Sequence, residues 1–135
     1  MYFVGEGVSQ DRAEATRLYR LAAEQGNIHA QDALGFVYLD GVGAQRDYAE
    51  AAKWFRRAAD QGNVDAQFNL GGMYELGNGV RQDYVRAHMW FDLVASQGAR
   101  RYAIESTERV EKQMTPTQIA EAQKLEREWK PKPSR

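Results

Sequence analysis

The sequence has 135 residues, and its 18 Lys and Arg residues are balanced by 19 Asp and Glu residues, which leaves a formal net charge of −1 at pH 7. That balance gives no electrostatic reason to expect a nucleic-acid or anionic-lipid partner. The absence of cysteine excludes a disulfide framework and thiolate metal sites, and no run of about 18 apolar residues is present to span a membrane. Length and composition therefore predict one globular domain.

The chain repeats itself every 36 residues. Residues 2–37 and residues 38–73 are identical at 17 of 36 aligned positions, and residues 74–98 continue the same register. Eleven of the 12 glycines fall on four phases of this period, and only Gly72 does not. Such a period is typical of a repeat array, in which each unit buries its apolar face on its neighbours.

One helix of the repeat is predicted between Asp47 and Gly62. Apolar residues recur there with the spacing of a single helical stripe: Ala51, Trp54, Phe55, Ala58 and Ala59. Asp47 and Glu50 have the spacing of a reciprocal capping pair, and Gly62 stands where a helix ends in a left-handed residue. The period repeats this helix between two further pairs of residues, Asp11 and Gly26, and Asp83 and Gly98.

The other helix of the repeat follows Asn27 and Asn63, each of which is a suitable N-cap. The predicted helices are residues 28–39 and 64–76, and their inward positions are Ala30, Leu34, Tyr38, Ala66, Leu70 and Tyr74. Gly35 and Gly71 interrupt these helices at a cost of about 1 kcal/mol each relative to alanine. We expect that these glycines let a neighbouring helix approach closely.

The two helices are joined by a Gly-x-Gly segment, which recurs at residues 5–7, 41–43 and 77–79. No strand precedes this segment, and the third glycine of a dinucleotide-binding loop is missing. The pattern therefore favours a structural turn, in which glycine supplies positive φ, over a phosphate-binding loop.

The full unit, taken from Ala30 to Gly62, reads Ala-x-x-x-Leu-Gly-x-x-Tyr-x-x-Gly-x-Gly-x-x-x-Asp-Tyr-x-x-Ala-x-x-Trp-Phe-x-x-Ala-Ala-x-x-Gly, and residues 66–98 keep these positions except at Val94. It closely resembles the Sel1-like repeat, a relative of the tetratricopeptide repeat, as found in bacterial proteins. The resemblance implies an all-α fold, an α/α superhelical solenoid of helix-turn-helix repeats, and a role as a binding scaffold. One branch of the family carries a cysteine pair in each repeat and is associated with penicillin binding, and this chain lacks those cysteines.

The register divides the chain into a truncated first repeat with its second helix only (1–26), two full repeats (27–62 and 63–98), a degenerate helix followed by a capping helix (99–129), and a flexible tail (130–135). The capping helix begins with Thr115-Pro116-Thr117-Gln118, a sequence typical of a helix start. The inward stripes of the last two helices are predicted to be Ala103, Thr107, Val110 and Met114, and Ile119, Ala122, Leu125 and Trp129.

The first predicted helix lacks the helix that precedes it in the other repeats. Four of its apolar residues are therefore expected to be partly uncovered: Ala15, Leu18, Tyr19 and Ala22. The sequence leaves three explanations open: the chain is a fragment, it has lost upstream repeats, or it pairs with a second copy through this open end. Such a start leaves the compartment open between cytoplasm and periplasm.

The titratable residues indicate no catalytic or metal site. His29 and His88 lie 59 residues apart, without a second ligand at helical spacing, and both are predicted to face solvent. No serine stands in a Gly-x-Ser-x-Gly or Ser-x-x-Lys context, so no nucleophile is indicated. We therefore predict no enzyme activity, no cofactor and no metal.

The predicted binding surface is the outward face of the first helix of each repeat, the face that lines the concave side of this kind of solenoid. Five residues define it: His29, Asp32, Phe36, Asp65 and Phe68. Phe36 and Phe68 are aromatic residues at positions that the repeat does not require, and exposed aromatic residues are enriched at binding hot spots. Local packing is the alternative explanation for both.

The leading functional hypothesis is a scaffold or adaptor that binds a peptide or protein segment on this concave face, with the partner's identity open and no catalysis. Two alternatives remain. One is a cell-envelope ligand binder of the penicillin-recognising kind, or a weak hydrolase. The other is a structural spacer within a longer repeat protein.

Overall fold

The computed structural model describes the backbone of residues 2–98 and 100–132 and the side chains of residues 11–98 and 100–132. These residues form helices and no strand, and the helices are α1 (Tyr2–Glu24), α2 (Ile28–Asp40), α3 (Tyr48–Asp60), α4 (Val64–Leu76), α5 (Tyr84–Ser96), α6 (Arg101–Glu111) and α7 (Pro116–Glu128). Each helix from α1 to α5 packs on the next, and α7 also packs on α5. The chain is an all-α helical-repeat solenoid, as the sequence predicts. Within the described ranges, no helix has the length and apolar character needed to cross a membrane.

The starts of α2 and α4 confirm the predicted asparagine caps. The side-chain oxygen of Asn27 accepts a hydrogen bond from the backbone N–H of Ala30, and Asn63 accepts one from Ala66, both over 2.8 Å. These bonds satisfy one of the four backbone N–H groups that a helix start leaves unpaired. Their identical geometry gives α2 and α4 the same orientation relative to the turn before them.

The start of α3 confirms only half of the predicted capping pair. Asp47 accepts a hydrogen bond from the backbone N–H of Glu50 over 3.1 Å. The reciprocal bond from Asp47 N–H to the Glu50 carboxylate is a wrong prediction, because that N–H donates to the carbonyl of Tyr38 over 2.9 Å. The start of α3 is thereby tied to the end of α2, and the Glu50 carboxylate lies 3.8 Å from Lys53 Nζ instead.

The predicted turn at residues 5–7 and the predicted cap at Asp11 are both wrong, because α1 is helical through all of them. In the later repeats the turn packs on the helix one repeat earlier: a Cβ on Gly43 would lie 2.9 Å from the carbonyl oxygen of Arg12, and one on Gly79 would meet the carbonyl of Tyr48. Residues 5–7 continue the helical backbone of α1 instead of forming this turn.

The helix ends follow the predicted glycines at two of three places. Gly26 and Gly62 have φ of 95° and 104°, in the left-handed region that favours glycine. Gly98 has no positive φ, so this prediction is wrong. The physical reason lies in the next helix, which starts one residue later in its repeat, at Arg101, with Arg100 and no side-chain hydrogen bond at its N-cap.

Gly35 and Gly71 have the packing role that the sequence predicts. A Cβ on Gly35 would lie 2.6 Å from the ring of Phe55, and one on Gly71 would lie 2.8 Å from the ring of Phe91. Phe55 and Phe91 are both no more than 1% exposed. Because glycine has no side chain, the aromatic ring of the following helix packs into the space that a Cβ would occupy.

The predicted inward stripes form the core of the array. Their residues in α2, α3 and α4 are all no more than 8% exposed: Ala30, Leu34, Tyr38, Ala51, Trp54, Phe55, Ala58, Ala59, Ala66, Leu70 and Tyr74. Two buried glutamines join them, which the sequence pattern did not single out. Gln31 donates to the carbonyl of Ala23, and Gln67 donates to the carbonyl of Ala59, each over 3.1 Å. The carbonyls at the ends of α1 and α3 thus find partners inside the core.

The last two helices dock as predicted. Ala103 and Val110 of α6 are fully buried, as is Ala122 of α7. Thr115 and Gln118 make the complete reciprocal capping box at the start of α7, with bonds of 2.9 and 3.1 Å. The α7 helix therefore begins where the sequence predicts and lies on α5.

The predicted flexible tail, residues 130–135, is described as far as Lys132. The backbone N–H of Lys132 donates to the carbonyl of Asp60 over 2.6 Å, and Lys132 Nζ lies 4.0 Å from the Asp60 carboxylate. This part of the tail therefore returns to the end of α3. Residues 133–135 lie outside the described residues.

Candidate functional site

The five residues predicted to bind a partner lie on α2 and α4, and we call them the acidic–aromatic face: His29, Asp32, Phe36, Asp65 and Phe68. His29 and Asp65 are exposed, while Asp32 and Phe68 are half-buried. Phe36 keeps 39% of its surface exposed. Helical spacing places Asp32 and Phe36 one turn apart on α2, and Asp65 and Phe68 three residues apart on α4.

The two phenylalanines are held by rings in the core. Phe36 contacts Phe55 edge-on with ring centroids 5.2 Å apart. Phe68 lies between Phe91, at 5.2 Å, and Tyr102, at 4.7 Å. Local packing therefore fixes both rings, and these contacts set their orientation before any partner arrives.

The carboxylates of the acidic–aromatic face repel each other. Burial, together with the negative charge of Asp65, raises the pKa of Asp32, and His29 acts in the opposite direction. Oδ1 of Asp32 is buried and has no hydrogen-bond partner among the described residues. A cationic group placed beside Asp32 and Asp65 would relieve the repulsion and pair the buried oxygen.

Two further apolar side chains extend this surface onto α6, and neither was predicted as a binding residue. Tyr102 and Ile104 are 43% and 39% exposed. Ile104 lies one period after Phe68 and two periods after Asp32. Extending the 36-residue register past Gly98 would have identified Ile104 from the sequence.

His88 is buried, so the prediction that it faces solvent is wrong. Its Nε2 lies 2.7 Å from the Glu111 carboxylate, which joins α5 to α6. The signal was available one period earlier, where Ala52 is also buried, at 4% exposure. His29 is exposed, as predicted. Across the described part of the chain, no three His, Cys, Asp or Glu side chains lie together as a metal site requires.

Comparisons with known proteins agree with this architecture. The family model of the Sel1 repeat matches residues 1–27, 28–63 and 64–98. A search of the curated proteins found no match.

Two solved structures are similar over most of the chain. One is c5321, described as a protective antigen present in uropathogenic Escherichia coli strains and displaying an SLR fold, with 37% identity and a TM-score of 0.83 over 87% of this chain. The chain spans only 25% of that protein's length. The other is a Sel1 repeat protein from Oxalobacter formigenes, with 39% identity, a TM-score of 0.68 and 80% of both chains covered. With three matched repeats and this fold, the chain belongs to the Sel1 repeat family.

Proposed function

We propose that this chain is a protein-interaction scaffold that binds a peptide or protein segment on its acidic–aromatic face. Sel1 repeat proteins are generally protein-interaction scaffolds. The observation that carries the proposal for this face is the 39% exposure of Phe36 beside the unpartnered carboxylate oxygen of Asp32. The face thus offers an apolar ring and a charged acceptor, which together suit a segment with an apolar and a cationic side chain.

The mechanism is preorganisation. Phe36 and Phe68 are oriented by the rings of Phe55 and Phe91, which are themselves seated against glycines of the array. Side chains that are already ordered lose little entropy when a segment binds, and such ordering costs about 0.5–1.5 kcal/mol for each mobile side chain. The solenoid therefore contributes to affinity by holding the face in place.

A peptide-display selection on the purified chain tests the proposal. We expect the Phe36→Ala and Phe68→Ala variants to weaken binding of the best selected peptide at least about tenfold, as hot-spot truncations do. Val42→Ala is the control, because Val42 is 43% exposed but lies in the turn after α2. Unchanged affinity in both phenylalanine variants would exclude this face as the binding surface.

We further propose that a second copy of the chain docks on α1. Leu18, Tyr19 and Leu21 are 53%, 42% and 48% exposed, as the sequence predicts for the first two. One period later, Trp54 and Phe55 are no more than 1% exposed in α3, a helix that packs on both α2 and α4. Sedimentation equilibrium at high concentration tests this self-association: Leu18→Ser should shift a dimer to monomer, and a wild-type monomer would rule it out.

Catalysis is not part of the proposed function, since proteins of this family are typically non-catalytic scaffolds. The alternative of a penicillin-recognising binder or hydrolase has a direct test. Incubation with a labelled β-lactam, followed by intact-mass spectrometry, should give no covalent adduct and no turnover. A stoichiometric adduct would favour the alternative.

A further inference from the structure

A cavity of about 470 Å³ lies between α3, α5, α7 and the segment that follows α7. Its size falls within the range of small-molecule sites. Residues 130–132 close one side of it, because the hydrogen bond from Lys132 to the carbonyl of Asp60 carries the chain from α7 to the end of α3. The cavity involves α3, α5 and α7, whereas the acidic–aromatic face lies on α2 and α4.

The apolar part of the cavity wall is built from two tryptophans. The rings of Trp90 and Trp129 lie edge to face with centroids 6.1 Å apart, and Met89 and Pro131 lie beside them. Trp90 is 3% exposed, so its ring is fixed in the core. The indole Nε1 of Trp129 is buried and has no hydrogen-bond partner in the described part of the chain. Because an indole N–H only donates, its missing partner is an acceptor.

The charged part of the wall is mainly cationic. Four cations and two carboxylates line the cavity: Arg56, Arg86, Lys130, Lys132, Asp60 and Glu128. Asp60 is already approached by Lys132 Nζ at 4.0 Å. The guanidinium of Arg56 donates to the hydroxyl of Tyr74 and lies over its ring, so it is held in position. Arg86 is also paired, since its Nε lies 3.4 Å from the Asp83 carboxylate. With Asp83 counted, four cations face three carboxylates, and this small positive excess favours an anion.

We propose that this cavity binds a small organic anion in which a carboxylate is joined to an apolar group. The apolar group would lie against the tryptophan wall, and the carboxylate would pair with Arg56 and Arg86. Planar guanidinium groups suit carboxylates because they donate two parallel hydrogen bonds. The same chemistry is found in a free aromatic or aliphatic acid and in the C-terminus of a peptide that ends in an apolar residue.

Titration with N-acetyl-phenylalanine and with its amide tests the proposal, because the two probes differ only in the carboxylate. The indole N–H signals in ¹H–¹⁵N spectra, assigned with Trp→Phe variants, report occupancy at Trp90 and Trp129. We expect the acid to bind at least about tenfold more tightly than the amide, a difference of one charged contact. The tetrapeptide Gly-Gly-Gly-Phe separates the sources: tighter binding than N-acetyl-phenylalanine indicates a peptide C-terminus, and weaker binding indicates a free acid.

Arg86→Gln and Trp129→Phe are the test variants, and Arg101→Gln is the matched control. Arg101 is 89% exposed at its side chain and lies on α6, outside the cavity lining. Circular dichroism of all three confirms that the fold is kept. We expect Arg86→Gln to weaken binding of the acid at least about tenfold and Arg101→Gln to leave it unchanged. Three results would overturn the proposal. The acid and the amide could bind with equal affinity, or Arg101→Gln could weaken binding as much as Arg86→Gln. The indole signals could also stay unshifted at about 20 mM acid, which would mean a Kd well above about 1 mM.

Discussion

The side chain of Gln61 donates a hydrogen bond from Nε2 to Oε1 of Gln31, 2.6 Å away, and one period later Gln97 donates to Gln67 over 2.9 Å. Each acceptor is buried and in turn donates to a carbonyl at the end of the preceding helix. The amides therefore form a short hydrogen-bonded chain that links three helices in each repeat. Because the donor and the acceptor both recur every 36 residues, these hydrogen bonds hold successive repeats at the same spacing.

Gln67→Ala is expected to destabilise the chain by about 1–3 kcal/mol, because it removes two hydrogen bonds of a buried amide: the bond donated to the carbonyl of Ala59 and the bond accepted from Gln97. Urea unfolding followed by circular dichroism measures the change. Gln123→Ala on the exposed face of α7 is the control and should stay within about 0.5 kcal/mol of wild type. If the Gln67→Ala and Gln97→Ala effects add without coupling in the double variant, the hydrogen-bonded chain makes no joint contribution.

Gly71→Ala and Gly72→Ala are adjacent substitutions with opposite expected effects. A Cβ at Gly71 would lie 2.8 Å from the ring of Phe91, so this variant should lose about 1–3 kcal/mol. A Cβ at Gly72 meets no atom within 4 Å. Alanine there should stabilise α4 by about 0.5–1 kcal/mol. Thermal unfolding of both variants decides the point, and equal stability of the two would contradict the packing role of Gly71.

The docking of α7 is expected to weaken as the pH rises from about 4.5 to about 8. Burial, and the Asp92 carboxylate of α5, raise the pKa of Glu126 from its ordinary 4.5 to about 8, while Arg127 and Ser96 oppose the shift. A carboxyl whose pKa is raised by folding stabilises the folded state fully below its ordinary pKa and loses that contribution as the pH rises through about 8. The unfolding midpoint should therefore fall as the pH rises from about 4.5 to about 8 and should level off above about 8. Glu126→Gln should remove most of that fall, and an equally steep fall in this variant would assign it to other groups.

Glu111→Ala is expected to destabilise the α5–α6 contact by about 1–3 kcal/mol, because it removes the partner of the buried His88 Nε2. Glu108→Ala, at an exposed position on the same helix, is the control. Chemical denaturation distinguishes them. Equal losses in the two variants would mean that the His88–Glu111 hydrogen bond contributes no stability of its own.

Local features of the sequence were enough to predict most of the helices. The caps at Asn27 and Asn63, the left-handed turn glycines and the inward stripes depend on residues within one or two turns of each other, so the 36-residue period and the 3.6-residue helical period reveal them. The close helix approach at Gly35 and Gly71 was also expected from the sequence, while the structure identified Phe55 and Phe91 of the following helices as the partners.

The sequence by itself determined the repeat, its helices and the residues that face the core. Only the tertiary structure decided that α1 continues through residues 5–7, that His88 is buried against Glu111, and that Lys132 returns to α3 and lines a cavity. The physical reason is the same in each case. These outcomes depend on which backbone or side chain lies opposite in space, and the residue pattern along the chain does not specify that partner.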